Sequence, residues 1–244
     1  MLRRWIETRL DRVFPGMGWR PLYLTASATW LMVLYHHHGG TSNAPPFWID
    51  ACEELLGMGV VEFYQHLWAH ACAVVLLMII PLLICWIGEG WSPRDLGFRI
   101  KGAGPELAVV GGLWVLMIPL IYLVHTGAAF QRVYPRLAAA DTSAELYLLF
   151  EACYFVKWVA WEFFFRGFML FGFQRDFLRR SVLVSTIPFT LMHYGKPEVE
   201  MASAVIAGLV LCFIALRSKS IWPGVILHWL VASTMDFMAS SFWR

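Results

Sequence analysis

Charge is what this chain has least of. Asp, Glu, Lys and Arg make up 15% of its 244 residues, against about 25% in soluble domains. The formal net charge is only +2, which excludes the strongly basic surface of a nucleic-acid binder and gives no reason for an acidic partner. Cysteine is sparse too. Cys52, Cys72, Cys85, Cys153 and Cys212 are odd in number and lack metal-type spacing, so free thiols are expected. No internal repeat or low-complexity segment is visible. No small-residue cleavage site follows a short apolar core near the N-terminus, so no signal peptide is expected.

What is present is apolar: 59% hydrophobic and 16% aromatic residues with a mean hydropathy of +0.60, the composition of a membrane protein. Seven apolar runs, about 21–38, 66–88, 105–125, 146–172, 181–195, 199–216 and 221–240, predict an all-α polytopic protein of about seven transmembrane helices. Lys196-Pro197 ends the fifth, which is short for a span. Placing the N-terminus inside puts 13 Lys and Arg on the inner side, in 1–20, 89–104, 173–180 and 217–220, and 4 on the outer, as the positive-inside rule requires. The N-terminus is thus expected to be cytoplasmic, and the short loops fit a bacterial plasma-membrane protein. Within 1–20, Leu2, Trp5, Ile6, Leu10, Val13 and Phe14 fall near helical spacing, with Arg3, Arg4, Arg9 and Arg12 mostly off that stripe. An interfacial amphipathic helix on anionic lipid is expected there, followed by a single multi-helix membrane domain over 21–244.

Ionisable groups inside spans are costly and mark cavities or partners. They are Glu151, Lys157, Glu162, Arg166, His193, His228 and Asp236. Glu162 and Arg166 stand at i and i+4 within the run AWEFFFRGFML, on one helical face, where each can neutralise the other. A purely local ion pair is one reading. Depth supplies another. With a rise of about 1.5 Å per residue, Glu162 lies roughly 15 Å above the inner edge, His193 roughly 18 Å and His228 roughly 10 Å. Three titratable groups on three helices thus reach a similar level. Between the histidines, Ala202, Ser203, Ala204, Ala207 and Gly208 allow close helix approach. Pro188 kinks the helix before His193, and Phe189, one turn away, can wall that imidazole from lipid. A carboxylate bonded to one imidazole can activate water as a general base, and a second imidazole can donate to the developing oxyanion. Arg166 would orient Glu162 or hold substrate. Such a set describes amide hydrolysis within the membrane.

The same residues carry a resemblance. WEFFFRG (161–167) resembles a Glu-Glu-x-x-x-Arg pattern, FTLMH (189–193) a Phe-x-x-x-His pattern, and SIWPGVILHWLVA (220–232) a motif ending His-x-x-x-Asn. In this order they are similar to the CAAX protease and bacteriocin-processing (CPBP/Abi) family of intramembrane glutamic endopeptidases. The similarity covers about 145–240, with SPRDLGFR (92–99) as a softer upstream sign. It implies a four-helix catalytic core in the C-terminal half. In it, glutamate and histidine activate water while the later histidine and the asparagine bind the oxyanion, without metal or other cofactor. Glu162, Arg166, His193 and His228 inherit these roles. The substrate implied is a membrane-associated protein or peptide, cut near its end. Two positions depart: the first glutamate, the family's usual base, is Trp161, and the asparagine is Ala232. Adjacent helix positions point about 100° apart, so Glu162 needs a local rotation to replace a residue at 161. Ser233 or water could stand in for the asparagine.

Two other readings stay open. A non-catalytic member of the family would bind a membrane partner. Alternatively, Glu62, His66 and His70 recur every four residues at the start of the second span, near His36, His37 and His38, as in a metal-binding membrane protein or transporter.

Overall fold

The structure, a computed structural model, describes residues 18–101, 103–141 and 143–241, together with Arg9, Arg12 and Val13. The interfacial helix expected over 1–20 therefore lies largely outside the described residues. Among those described, helices form every regular element and no strand occurs. We label the main helices α1 Trp19–His38, α2 Pro46–Leu56, α3 Val61–Glu89, α4 Gly104–Val124 and α5 Ala144–Glu162. They are followed by α6 Gly172–Phe177, α7 Ser181–Leu191, α8 Glu198–Ser218 and α9 Trp222–Ala239. Three of them, α3, α4 and α8, are long and apolar enough to cross a bilayer by length and composition. The seven expected runs coincide with α1, α3, α4, α5 with its continuation to Phe177, α7, α8 and α9. The α7 helix is the exception in extent. It has 11 residues, a rise of about 16 Å, and stops short of a full crossing, leaving His193 in the turn beyond it.

Local chemistry sets the ends. Ser143 caps α5 by accepting a hydrogen bond from the Leu146 N–H at 3.2 Å, relieving one unpaired donor of the first turn. Proline near the first helical positions starts α2, α4 and α9, where a missing N–H costs nothing. Between α5 and α6 the chain stays helical but turns π-helical over Phe163–Phe171. The i to i+5 pattern widens the helix and changes the direction of every later side chain. Phe163, Phe164, Phe165, Arg166, Gly167, Phe168, Met169 and Leu170 are all buried, so this segment is enclosed on every side.

Around it one buried cluster runs from Leu24 on α1 to Ala232 on α9. The most extensive helix pairings are α7 with α8 and α4 with α9. Of the small residues expected to permit the first pair, Ala204 and Gly208 are buried, whereas Ala202, Ser203 and Ala207 face outward. A Cβ on Gly208 would stand 2.8 Å from Thr186 Cγ2, so hydrogen at that position sets the α7–α8 separation. All five cysteines are free, Cys85 and Cys212 buried and the others half-buried.

Candidate active site

Glu162 closes α5 and is completely buried, as is Arg166 one turn on. The carboxylate oxygen Oε1 accepts two hydrogen bonds, from Arg166 Nη1 at 3.1 Å and from His228 Nδ1 at 2.8 Å. An isolated charge would not survive in such a position, and the pair is what makes burial tolerable. The reading of Glu162 and Arg166 as mutually neutralising is correct in geometry but incomplete. The carboxylate also ties α5 to α9, 66 residues later.

The second oxygen, Glu162 Oε2, is buried without a partner. Gly224 on α9 lies directly over it: a Cβ there would sit 2.8 Å from Oε2. Gly224 is thus the residue that lets α9 approach closely enough for His228, one turn later, to reach the carboxylate. Arg166 places its Cζ 4.1 Å from the Phe189 ring centroid, a cation–π contact in a dry setting. Its Nε and Nη2 are buried without partners.

His228 is fixed from both sides. Its ring stacks on Trp158, centroids 3.8 Å apart at 28°, and its Nδ1–H points to Glu162. His193, beyond the end of α7, donates Nδ1–H to the Phe189 carbonyl at 2.8 Å. A carbonyl or a carboxylate can only accept, so both imidazoles carry their proton on Nδ1 when neutral. Each Nε2 is then an acceptor. Neither has a protein partner among the described residues, and both are open to water. The rings are parallel within 6° with centroids 6.5 Å apart. Phe189 packs against both, at 4.8 Å and 5.7 Å, as the expected wall for His193 and also as the floor between the two.

Trp161 faces the other flank. Its ring lies 6.4 Å from that of His193, 5.2 Å from Phe165 and 6.0 Å from Tyr35. Positions 161 and 162 therefore both border the site, 161 on the His193 side and 162 on the His228 side. Ala232, one turn past His228, is buried. Ser233 is not available in its place, because its hydroxyl donates to Glu151 Oε2. The other intramembrane charges lie outside this group. Asp236 Oδ1 accepts from the Arg136 N–H at 2.5 Å, and Lys157 Nζ lies over the Tyr154 ring at 5.1 Å.

Sequence alone does not single out Trp158 and Gly224. Both are within its reach: Trp158 precedes Glu162 by four residues and Gly224 precedes His228 by four, each on the site face of its helix.

Glu62, His66 and His70 do not converge. Glu62 accepts from the Ala138 and Ala139 N–H groups, at 3.0 Å each, and His66 Nε2 donates to the Arg136 carbonyl at 2.8 Å. These side chains pin the segment 136–139 onto α3. His70 stacks on Tyr154, centroids 5.4 Å apart at 16°. No group of three or more His, Cys, Asp or Glu residues placed to hold a metal ion occurs among the described residues.

A chain that is all-helical among the described residues, with three helices long and apolar enough to cross a bilayer and its most deeply buried carboxylate paired with a guanidinium, is a membrane protein. Residues 143–234 match a family model described as Rce1-like, type II CAAX prenyl endopeptidase. That segment contains Glu162, Arg166, His193 and His228, and the likeness to the CAAX protease family carried by the three motifs holds over it. No curated protein and no solved structure matches the chain.

Proposed function

We propose that the protein is an intramembrane, metal-independent endopeptidase of the CAAX protease type that cuts a peptide bond near the end of a membrane-associated protein or peptide. The observation that carries this is the hydrogen bond from His228 Nδ1 to the buried Glu162 carboxylate, 2.8 Å, with a second imidazole facing it across 6.5 Å.

Glu162 has no exposure and one oxygen already bonded twice, so it acts through His228 rather than on water itself. Its charge favours the imidazolium that forms when His228 Nε2 takes a proton. A water molecule between the imidazoles donates one O–H to each Nε2. As it attacks the scissile carbonyl carbon, its proton passes to His228 and the carbonyl becomes an oxyanion. Collapse breaks the C–N bond, and His228 returns the proton to the leaving amine. His193 Nε2 accepts the water's second O–H and so aims the oxygen lone pair at the carbonyl carbon. Arg166 pairs with the Glu162 carboxylate and holds it toward His228. The substrate enters from the bilayer, with the N-terminus and the Arg-rich ends on the cytoplasmic side of a bacterial plasma membrane and residues 21–244 acting as one membrane domain.

A second reading draws on Trp161, buried where the family carries its usual base: a non-catalytic member that holds a membrane partner. The two part on one measurement. Mass spectrometry of protein C-termini in membranes from cells carrying the wild type, Glu162→Gln or His228→Ala should show truncated termini that vanish in both variants while protein levels stay equal. Unchanged termini across all three would rule out the protease.

A further inference from the structure

A third set of residues, at the Arg-rich end of the helices, belongs to neither site described above. The segment after α3 is folded tightly. Ser92 and Asp95 form a reciprocal cap, and the two Ser92 hydrogen bonds hold the Asp95 carboxyl below the usual carboxylate range. Two long-range hydrogen bonds then stitch this segment to the junction of α8 and α9. The Ile221 N–H donates to the Gly97 carbonyl at 3.0 Å, and Ser220 Oγ donates to the Arg99 carbonyl at 2.5 Å. The stitching sets Arg94 and Arg99 beside Lys219. Gln174 on α6 and the apolar Phe171 and Leu216 complete the lining of a pocket of about 250 Å³.

Three cations around one small pocket repel one another, the more so beside the low-dielectric protein. None of the three is ion-paired to a carboxylate among the described residues. The nearby acids lie closer to other cations: Asp95, which also attracts Arg99 at longer range, lies 3.8 Å from Arg175, and Glu106 pairs with Arg217 at 2.8 Å. Nor are the cations free to splay apart. Arg99 Nε donates to the Arg94 carbonyl at 2.8 Å, which leaves its two terminal nitrogens for a ligand. Lys219 ends α8 in a left-handed conformation, φ 54°, where glycine is the usual and cheaper occupant. A lysine held there against its backbone preference points to a use for its charge. From the pocket wall at Leu216, an exposed apolar stripe of Phe213, Leu209 and Ile206 climbs α8 at helical spacing, toward the bilayer interior.

We propose that this pocket binds a phosphoryl group at the membrane surface, the α8 stripe receiving the acyl chain when that group is a phospholipid headgroup. Basic pockets between helices at the cytoplasmic surface have the chemistry for such headgroups, and a paired arginine offers the planar fork that suits phosphate oxygens.

The test uses the full chain in phosphatidylcholine nanodiscs, with and without phosphatidylglycerol, and separately with inorganic phosphate. Thermal unfolding and lipid retained in native mass spectrometry are the two readouts. Phosphatidylglycerol should raise the unfolding midpoint and remain bound to the wild type. Both effects should disappear in Arg94→Gln/Arg99→Gln/Lys219→Gln. They should persist in Lys101→Gln/Arg179→Gln/Arg180→Gln, which removes equal charge from the same end of the molecule. A shift produced by inorganic phosphate alone, and lost in the first triple variant, assigns the pocket to a free phosphoryl ligand. No shift with either ligand, or equal shifts in the two triple variants, would overturn the proposal.

Discussion

Removing one member of the Glu162–Arg166 pair should be far more damaging than removing both. In Glu162→Gln the guanidinium of Arg166 stays fully buried with no anion facing its charge, only the Phe189 ring at 4.1 Å, the Phe165 ring at 5.9 Å and a neutral amide oxygen. In Arg166→Met the carboxylate keeps a single donor, His228. Stranding one charge of a buried pair costs about 3–5 kcal/mol. The glutamine of the first variant can still accept from His228, which puts that variant near the lower end. The double variant Glu162→Gln/Arg166→Met buries no charge and gives up one hydrogen bond, about 1 kcal/mol. The singles then sum to about 6–8 kcal/mol against about 1 kcal/mol for the double, a coupling energy of about 5–7 kcal/mol, beyond the upper end of about 3 kcal/mol usual for residues in contact. Unfolding of the purified protein in mixed micelles of rising SDS content, followed by tryptophan fluorescence, measures all four corners. If a single variant fails to accumulate, accumulation of the double variant reports the same coupling as a rescue. Effects that add to within about 0.5 kcal/mol would refute the buried-pair argument. The double variant should have no peptidase activity despite its recovered stability, because His228 loses the anion that favours its protonated form.

Gly224→Ala should push α9 off Glu162 Oε2, destabilising by about 1–3 kcal/mol as overpacking does. It should also lower kcat, through a longer bond from His228 to the carboxylate. Wild-type kcat would show that Gly224 does not set that approach. Trp161→Glu places a carboxylate beside His193. Cleavage that exists only in this variant would mark the natural chain as a non-catalytic relative, whereas a folded variant with less activity than the wild type supports Trp161 as part of the working wall. EDTA and phenanthroline should leave peptidase activity unchanged, and loss reversed by zinc would contradict a mechanism resting on Glu162 and His228 alone.

Much of the candidate site was legible residue by residue. A carboxylate, a guanidinium and two imidazoles in apolar runs stand out because hydrocarbon penalises each of them, and hydropathy counts placed seven helical segments within about five residues of their starts while missing the short α2, Pro46–Leu56, which is too short to register as an apolar run. Partnership was less legible. The carboxylate could be assigned to either histidine from depth alone, and Ser233 could be offered as a substitute donor until its hydroxyl was found on Glu151. Glu62 and His66 looked like metal ligands at i and i+4, yet their partners are backbone groups of residues 136, 138 and 139, remote in sequence and therefore invisible to spacing.

Composition and periodicity determined the class, the order of helices and the identity of the buried charges, because burial in lipid is enforced locally, one turn at a time. Tertiary structure decided which groups meet. Rotation of each helix about its axis, the wider π turn over Phe163–Phe171 and the closeness allowed by Gly224 are properties of packed pairs. They turn Glu162 toward His228, leave Trp161 beside His193, and bring Arg94 and Arg99 up to Lys219, and no single segment carries the information for any of these.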